Sequence, residues 1–316
     1  MNFTPTIPYD PKFLEPEERA GFQVSKARKE VWLAELDLLY VFDQMCKKHG
    51  WHYSLYGGSM LGAIRHQGFI PWDDDIDVLM LREEYEEFCR IANDELKAPY
   101  FLQTEWTDKG SLRVNAQLRN SLTTSILHSE YAQKYGFNQG IFIDIFPLDA
   151  KPDDPEKAKA QKQKVLDLRE QAMRRFRTGL GYRKAATPWK RLPKWLVHVC
   201  PFFSKDFDKS YRAFELACQQ SQGEPTKEVW QLSLAMTTRD PRSFTREEIE
   251  DIQWVDFEFI KAPVYGNYEK ILDRTFGDWH KYVVGGATHG NVFFDVDHPY
   301  TDYIEGKLEA DLEAPL

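Results

Sequence analysis

The sequence predicts an α+β fold broken by a basic helical insertion, and three observations carry that reading. Helix-like and strand-like stretches interleave from about Val24 to Phe146, a block of cations interrupts the pattern after Asp153, and beyond about Gln231 the chain reads as a return to the core. The corresponding division is an N-terminal arm at 1–22, a core at 23–150, an insertion at 151–230 and a C-terminal part at 231–316 that completes the core. With 316 residues, 42% of them hydrophobic and 14% aromatic, the chain has material for a large core and no disordered composition.

The arm carries Pro5, Pro8, Pro11 and Pro16. After it, Val31, Leu38 and Phe42 fall at helical spacing, which predicts a helix from about Val24 to Lys48 ending at His49-Gly50. Trp51 to Tyr56 reads as a short strand running into Gly57-Gly58-Ser59, with Ser59 as the expected N-cap of a helix to about Arg65. The stretch GFIPWDDDIDVLML turns at Pro71 and predicts a strand with Asp73, Asp75 and Asp77 on one face and Ile76 and Val78 on the other. A helix is expected from Arg82 to about Leu96, then strands at Tyr100–Gln103, Arg113–Arg119 and Ile141–Phe146, the last presenting Asp144 between Ile143 and Ile145.

Asp153-Asp154-Pro155 supplies a cap and a proline suited to a first helical position. From Lys157 to Lys194 thirteen Lys or Arg face only Asp167 and Glu170, so this segment carries +11 and the rest of the chain −20. It ends in RLPKWLVHVCPFF, and residues 157–203 together are an expected contact for an anionic membrane surface, with a solvated insertion as the equal alternative. Near the C-terminus, KAPVYGNYEKILDRTFGDWH reads as a turn followed by a helix.

A net charge of −9 argues against a general nucleic-acid binder. Cys46, Cys89, Cys200 and Cys218 are far apart and form no CxxC, and neither a signal peptide nor a long apolar run is visible. A cytoplasmic protein is the expectation, with contact at the inner face of the membrane through the basic segment.

The chemistry concentrates at the acids. Carboxylates at i and i+2 of a strand share a face, so Asp75 and Asp77 can converge on a divalent ion, with Asp144 from a neighbouring strand as third ligand and Asp73 within reach. An all-oxygen set favours magnesium or manganese, and magnesium held by few carboxylates completes its shell with substrate phosphates. Gly57, Gly58 and Ser59 at a helix start allow close backbone approach to phosphate, and Arg65 and Arg119 are candidate phosphate contacts. Each has a plainer reading: an acidic run is often a solvated turn, Asp144 a buried structural acid, Arg65 surface decoration, and Arg113 and Arg119 salt-bridged strand residues.

The string GGSMLGAIRHQGFIPWDDDIDV, followed by GIFIDIFPLD at 140–149 and more weakly by APVYGNYEKILDRTFGDW, resembles the LicD family, which includes bacterial phosphocholine transferases and is related to fukutin and fukutin-related protein. The resemblance touches both ends of the chain and covers the basic middle poorly. It implies a nucleotidyltransferase-like mixed sheet flanked by helices, a CDP-alcohol donor, CDP-choline foremost, and a glycan acceptor such as a teichoic acid or lipopolysaccharide sugar. The family pattern of a Gly-Gly/Ser helix start, an Asp-x-Asp strand and a third acid falls on Gly57, Gly58, Ser59, Asp75, Asp77 and Asp144, with Asp73 similar to an additional acid in the fukutin-related members. Expected activity is thus metal-dependent transfer of a phospho-alcohol with release of CMP. A true nucleotidyltransferase and a catalytically silent relative are the alternatives.

Overall fold

The computed structural model describes residues 1–180, 201–238, 241–284, 291–313 and 316. The chain divides into two units, the first made of Met1–Phe146 and Glu247–Leu316, the second of Pro147–Arg246.

The first unit begins with a short hairpin, β1 (Glu17–Arg19) and β2 (Phe22–Val24), and then helix α1, Lys26–His49. Ser25 caps α1 by accepting the Arg28 N–H, and Gly50 ends it at φ 73, a left-handed conformation that glycine adopts without Cβ strain. Its apolar stripe, with Trp32, Leu36, Leu39 and Phe42 fully buried, is the spine of the core. Strand β3 (Ser54–Leu55) leads into α2 (Gly57–His66), then β4 (Asp77–Leu81), α3 (Arg82–Glu95), β5 (Tyr100–Gln103), β6 (Ala116–Asn120), β7 (Thr124–Leu127), the short α4 (His128–Tyr131) and the long β8 (Ile141–Lys151). Within this unit the strands of the mixed sheet follow the path β3-β4-β8-β6-β5, with β6 antiparallel to both β5 and β8. Asp144 sits opposite Gln117 in the β6–β8 register, and its N–H donates to the Ile76 carbonyl just before β4.

In the second unit the far end of β8 pairs antiparallel with β9 (Glu228–Trp230), and β9 with β10 (Ser243–Thr245). Its long helices among the described residues are α5 (Pro155–Leu180) and α6 (Pro201–Cys218). Asp154 accepts the N–H groups of Glu156 and Lys157, so the Asp-Pro start read from the sequence is the actual helix start. Ala158, Val165 and Ala172 bury one face of α5, and Gln161 donates to the carbonyls of Ala217 and Cys218 at the end of α6. Residues 181–200, the rear of the basic block, lie outside the described residues.

The C-terminal part of the first unit adds the hairpin β11 (Ile252–Phe257) and β12 (Ile260–Tyr265), helix α7 (Tyr268–Phe276), strand β13 (Val292–Asp295) paired with β7, and α8 (Tyr300–Ile304). Glu258, at the hairpin tip, accepts from the Phe69 N–H and pairs with Arg19, fastening this return segment to the loop after α2.

Local boundaries depart from the sequence reading in three places. Helix α2 starts at Gly57, two residues before Ser59, with Tyr56 as a cap that makes no side-chain bond. The acidic strand begins only at Asp77, after a turn in which the Asp73 N–H donates to the Ile70 carbonyl. The strand expected from Arg113 begins at Ala116. No helix among the described residues is long and apolar enough to cross a membrane.

Candidate active site

The site forms where the start of α2, the loop 73–77 and the middle of β8 meet. Ser59 is freed from capping and uses its hydroxyl differently: Oγ accepts the Asp77 N–H at 2.8 Å, tying the helix to the acidic strand. The Tyr56 N–H donates to the Asp77 carbonyl at 2.9 Å, so both backbone groups of Asp77 are fixed by the helix start. The two glycines have a steric role besides any phosphate contact. A Cβ on Gly58 would stand 2.5 Å from Asp73 Oδ2, and Gly57, at φ +55, faces Asp77 Oδ2 at 3.4 Å from its missing Cβ. Only glycine there lets the carboxylates press against the first turn of a helix, where the dipole favours negative charge.

From below, α1 holds the loop. Arg28 and Trp32, one turn apart, both donate to the Asp73 carbonyl at 2.9 Å. Next on that face comes Glu35, 1% exposed, whose Oε2 has no hydrogen-bond partner. Burial, then the charges of Asp75, Asp74 and Asp73, push the Glu35 carboxyl well above the ordinary range. Asp73 is likewise driven up, first by burial and then by Asp75 and Asp74.

Asp144 is treated differently. Its carboxylate is raised by burial, but the amides of Gln117 and Asn115 and the charge of Arg113 work in the opposite direction. Gln117 Nε2 donates to Oδ1 at 2.8 Å and Asn115 Nδ2 donates to the same oxygen at 2.6 Å. Gln117 has no choice of orientation, because its Oε1 accepts from the Arg119 guanidinium, which also donates to Gln103 Oε1 and to the Gly140 carbonyl, each at 2.6 Å. A chain of buried, directed bonds therefore ends on Oδ1 of Asp144.

Two of the candidate phosphate contacts have other partners in the structure. Arg119 is 1% exposed and spends its donors inside the sheet, so it orients Asp144 through Gln117 and does not reach a phosphate. Burial lowers its basicity to a pKa of about 9, which still leaves it charged at neutral pH. Arg65 lies at the opposite end of α2 from Gly58, where it donates to the carbonyls of Trp279 and Lys281 and packs over the Tyr282 ring. It braces the C-terminal segment. Glu35, Asn115 and Gln117 were missed by sequence reasoning; the alternation of polar Asn115, Gln117 and Arg119 with Ala116 and Leu118 was the signal for the last two.

Asp73, Asp75, Asp77 and Asp144 thus come to one region, with the charge of Asp75 felt by both Asp73 and Asp144. Among the described residues no three acid, imidazole or thiol groups stand in a ready-made coordination geometry. The chemistry of the donor set nevertheless fits a hard divalent cation: it is all oxygen, and its members repel one another in a way that a cation relieves.

The site thus lies on a mixed sheet whose acidic strand is stitched to the glycine start of a helix, with a further acid on the adjacent strand. Residues 50–175 match the family described as LicD/FKTN/FKRP, nucleotidyltransferase domain. The domain belongs to the LicD family. Across 263 residues, 80% of this chain and 91% of the relative, the sequence is 27% identical to the lipopolysaccharide cholinephosphotransferase LicD of Haemophilus influenzae. An uncharacterized protein of Rickettsia prowazekii is 29% identical over 104 residues, 33% of this chain and 36% of that protein.

Proposed function

We propose that the protein is a transferase that moves a phospho-alcohol, phosphocholine in the first instance, from a CDP-linked donor to a hydroxyl of a cell-surface glycan or its precursor of the lipopolysaccharide or teichoic acid type, releasing CMP. The observation that carries this reading is the similarity to the cholinephosphotransferase of Haemophilus influenzae over 80% of this chain and 91% of that one, with the acid cluster inside the residues that match the family.

In this reading Asp75 and Asp77 hold a magnesium or manganese ion, with Asp73 and Asp144 as further oxygen donors; when bound, the ion supplies neutralisation of phosphate charge. The glycan hydroxyl attacks the phosphorus that bears the alcohol, a new P–O bond forms, and the P–O bond to CMP breaks with its electron pair leaving on CMP. Asp144 Oδ2, the oxygen left by the amides, accepts the hydroxyl proton. Gly57, Gly58 and Ser59 shape the helix start against which the donor phosphates lie.

The test is CMP release from a panel of CDP-alcohols with a glycan extract as acceptor, with magnesium and with EDTA. Metal-dependent CMP from one donor is the expected result. Release of pyrophosphate with transfer of the nucleotide instead establishes a true nucleotidyltransferase, and no product from any donor a silent relative. We also place the protein in the cytoplasm, with α5 as the membrane-facing element, since Lys157, Lys159 and Lys164 are exposed on it. Equal, weak retention by neutral and anionic liposomes overturns that placement.

A further inference from the structure

Glu35 is buried in helix α1, and no step above uses it. Its placement follows from helical spacing: Arg28, Trp32 and Glu35 stand at i, i+4 and i+7, on one face of the helix. The first two donate to the Asp73 carbonyl at 2.9 Å, so this face lies against the acidic loop. Glu35 is about 4.5 Å further along the helix axis than Trp32. The charges acting on this face change in step with that advance. Arg28 meets Asp74 and then Asp73, whereas Glu35 meets Asp75 first, then Asp74 and Asp73. The loop therefore runs alongside α1, with Glu35 set at its Asp75 end. Because Asp75 also acts on Asp73 and Asp144, it is the charged neighbour that Glu35 shares with both of them.

A carboxyl group in this position is costly. Among the described residues Glu35 Oε2 has no hydrogen-bond partner. Arg28, the cation whose charge acts on Glu35, sends Nη1 to the Asp73 carbonyl, and its own buried Nε is also without a partner. A buried carboxylate without a partner costs more than an amide or an aliphatic side chain in the same place, and an unsatisfied group of this kind calls for a bound water or ion to account for it. The acids nearby raise that cost, whereas a divalent cation at Asp75 makes the same surroundings attractive.

We propose that Glu35 is a positioning acid of the cation site: it supplies negative charge from the α1 side to a divalent ion held by Asp75 and Asp77, and its Oε2 accepts a hydrogen bond from a water of that ion. The proposal rests on the cation site of the transferase reading and gives that site a residue outside the acidic run. Magnesium bound by few carboxylates keeps several waters, and acceptors behind the ligands orient them.

The test is titration of the full chain with Mn2+ at neutral pH, followed by loss of the free-ion electron paramagnetic resonance signal, in wild type, Glu35→Gln, Glu35→Asp and Asp75→Asn. Melting temperatures in EDTA and in magnesium accompany it, and neither donor nor acceptor is needed. Glu35→Gln is expected to weaken Mn2+ binding about tenfold and to shrink the rise in melting temperature that magnesium gives. In EDTA the same variant melts higher than wild type, because an amide is cheaper to bury among acids than a carboxylate, so a loss of Mn2+ affinity is not a loss of folding. Glu35→Asp keeps the charge and falls between wild type and Glu35→Gln, while Asp75→Asn abolishes binding. Unchanged Mn2+ affinity in Glu35→Gln, with both melting temperatures moving together, makes Glu35 a structural core acid and overturns the proposal, as does a wild type that binds no Mn2+. Weakened Mn2+ binding in Glu35→Gln, in a protein that releases no CMP from any donor, leaves the positioning acid standing and overturns the transferase reading instead.

Discussion

Asp73 and Asp144 are the same chemical group in opposite surroundings. Asp73 shares a short loop with Asp74 and Asp75, near the buried Glu35 whose Oε2 has no hydrogen-bond partner, and its backbone carbonyl is held by Arg28 and Trp32. Asp144 lies on a sheet strand with one side-chain oxygen gripped by two amides, one of them oriented by Arg119. The first arrangement stores mutual repulsion, which a cation relieves. The second is preorganised, since its geometry is set by the sheet before any ligand arrives. A site assembled from both kinds of acid has one side that responds to a ligand and one that does not.

That contrast can be broken experimentally, beginning with the responsive side. Asp75→Asn or Asp77→Asn is expected to lower kcat by at least about a hundredfold with the far-UV circular dichroism unchanged. The same variants should also lose a rise in melting temperature that magnesium gives the wild type, because a ligand that binds only the folded state stabilises it. Full activity in either variant removes these residues from the site.

On the preorganised side, Gln117→Leu is expected to cost about 10- to 100-fold in activity or metal affinity, the range for partners that orient a site carboxylate. In an Asp144→Asn background it should cost much less, because Gln117 then has no carboxylate to orient. Equal costs in both backgrounds would make Gln117 a packing residue only.

Smaller effects concern stability. Glu35 is held above the ordinary glutamate value of 4.5, so the folded state binds its proton more tightly than the unfolded state does. Stability from that proton is therefore present below about pH 4.5 and is lost as pH rises through the folded-state pKa. Glu35→Gln removes the dependence, and its melting temperature, measured in EDTA, should gain on wild type by a few degrees between pH 5 and pH 8. A constant difference across that range would mean that Glu35 is ionised at no cost. Trp32→Phe should lose about 1 kcal/mol by denaturant titration, since it deletes one donor to the Asp73 carbonyl while Arg28 keeps the other, and the stack on Phe69 survives.

Much of this was legible in the chain. The helix ending at Gly50, the strand at Tyr100–Gln103, the helix from Arg82 and the Asp154-Pro155 start are local events, encoded by caps, glycine and periodicity within a few residues. The acidic run beside a glycine helix start was legible for the same reason, and so was the family. The contacts of Arg119 and Arg65 were not legible, because nothing adjacent in sequence discloses that Gly140 and Gln103 surround one, or that Trp279 and Lys281, more than 200 positions away, hold the other.

Sequence by itself determined which residue types could perform phosphate chemistry and roughly where the chain would turn, because those properties depend on side-chain chemistry and short-range backbone geometry. Only the tertiary structure decided which oxygen of Asp144 is engaged, that Glu35 is buried near the acids with no hydrogen-bond partner for its Oε2, and that Arg65 meets the carbonyls of Trp279 and Lys281. Each of those facts depends on packing between segments distant along the chain, where burial and directed hydrogen bonds select one arrangement among many that the local sequence allows.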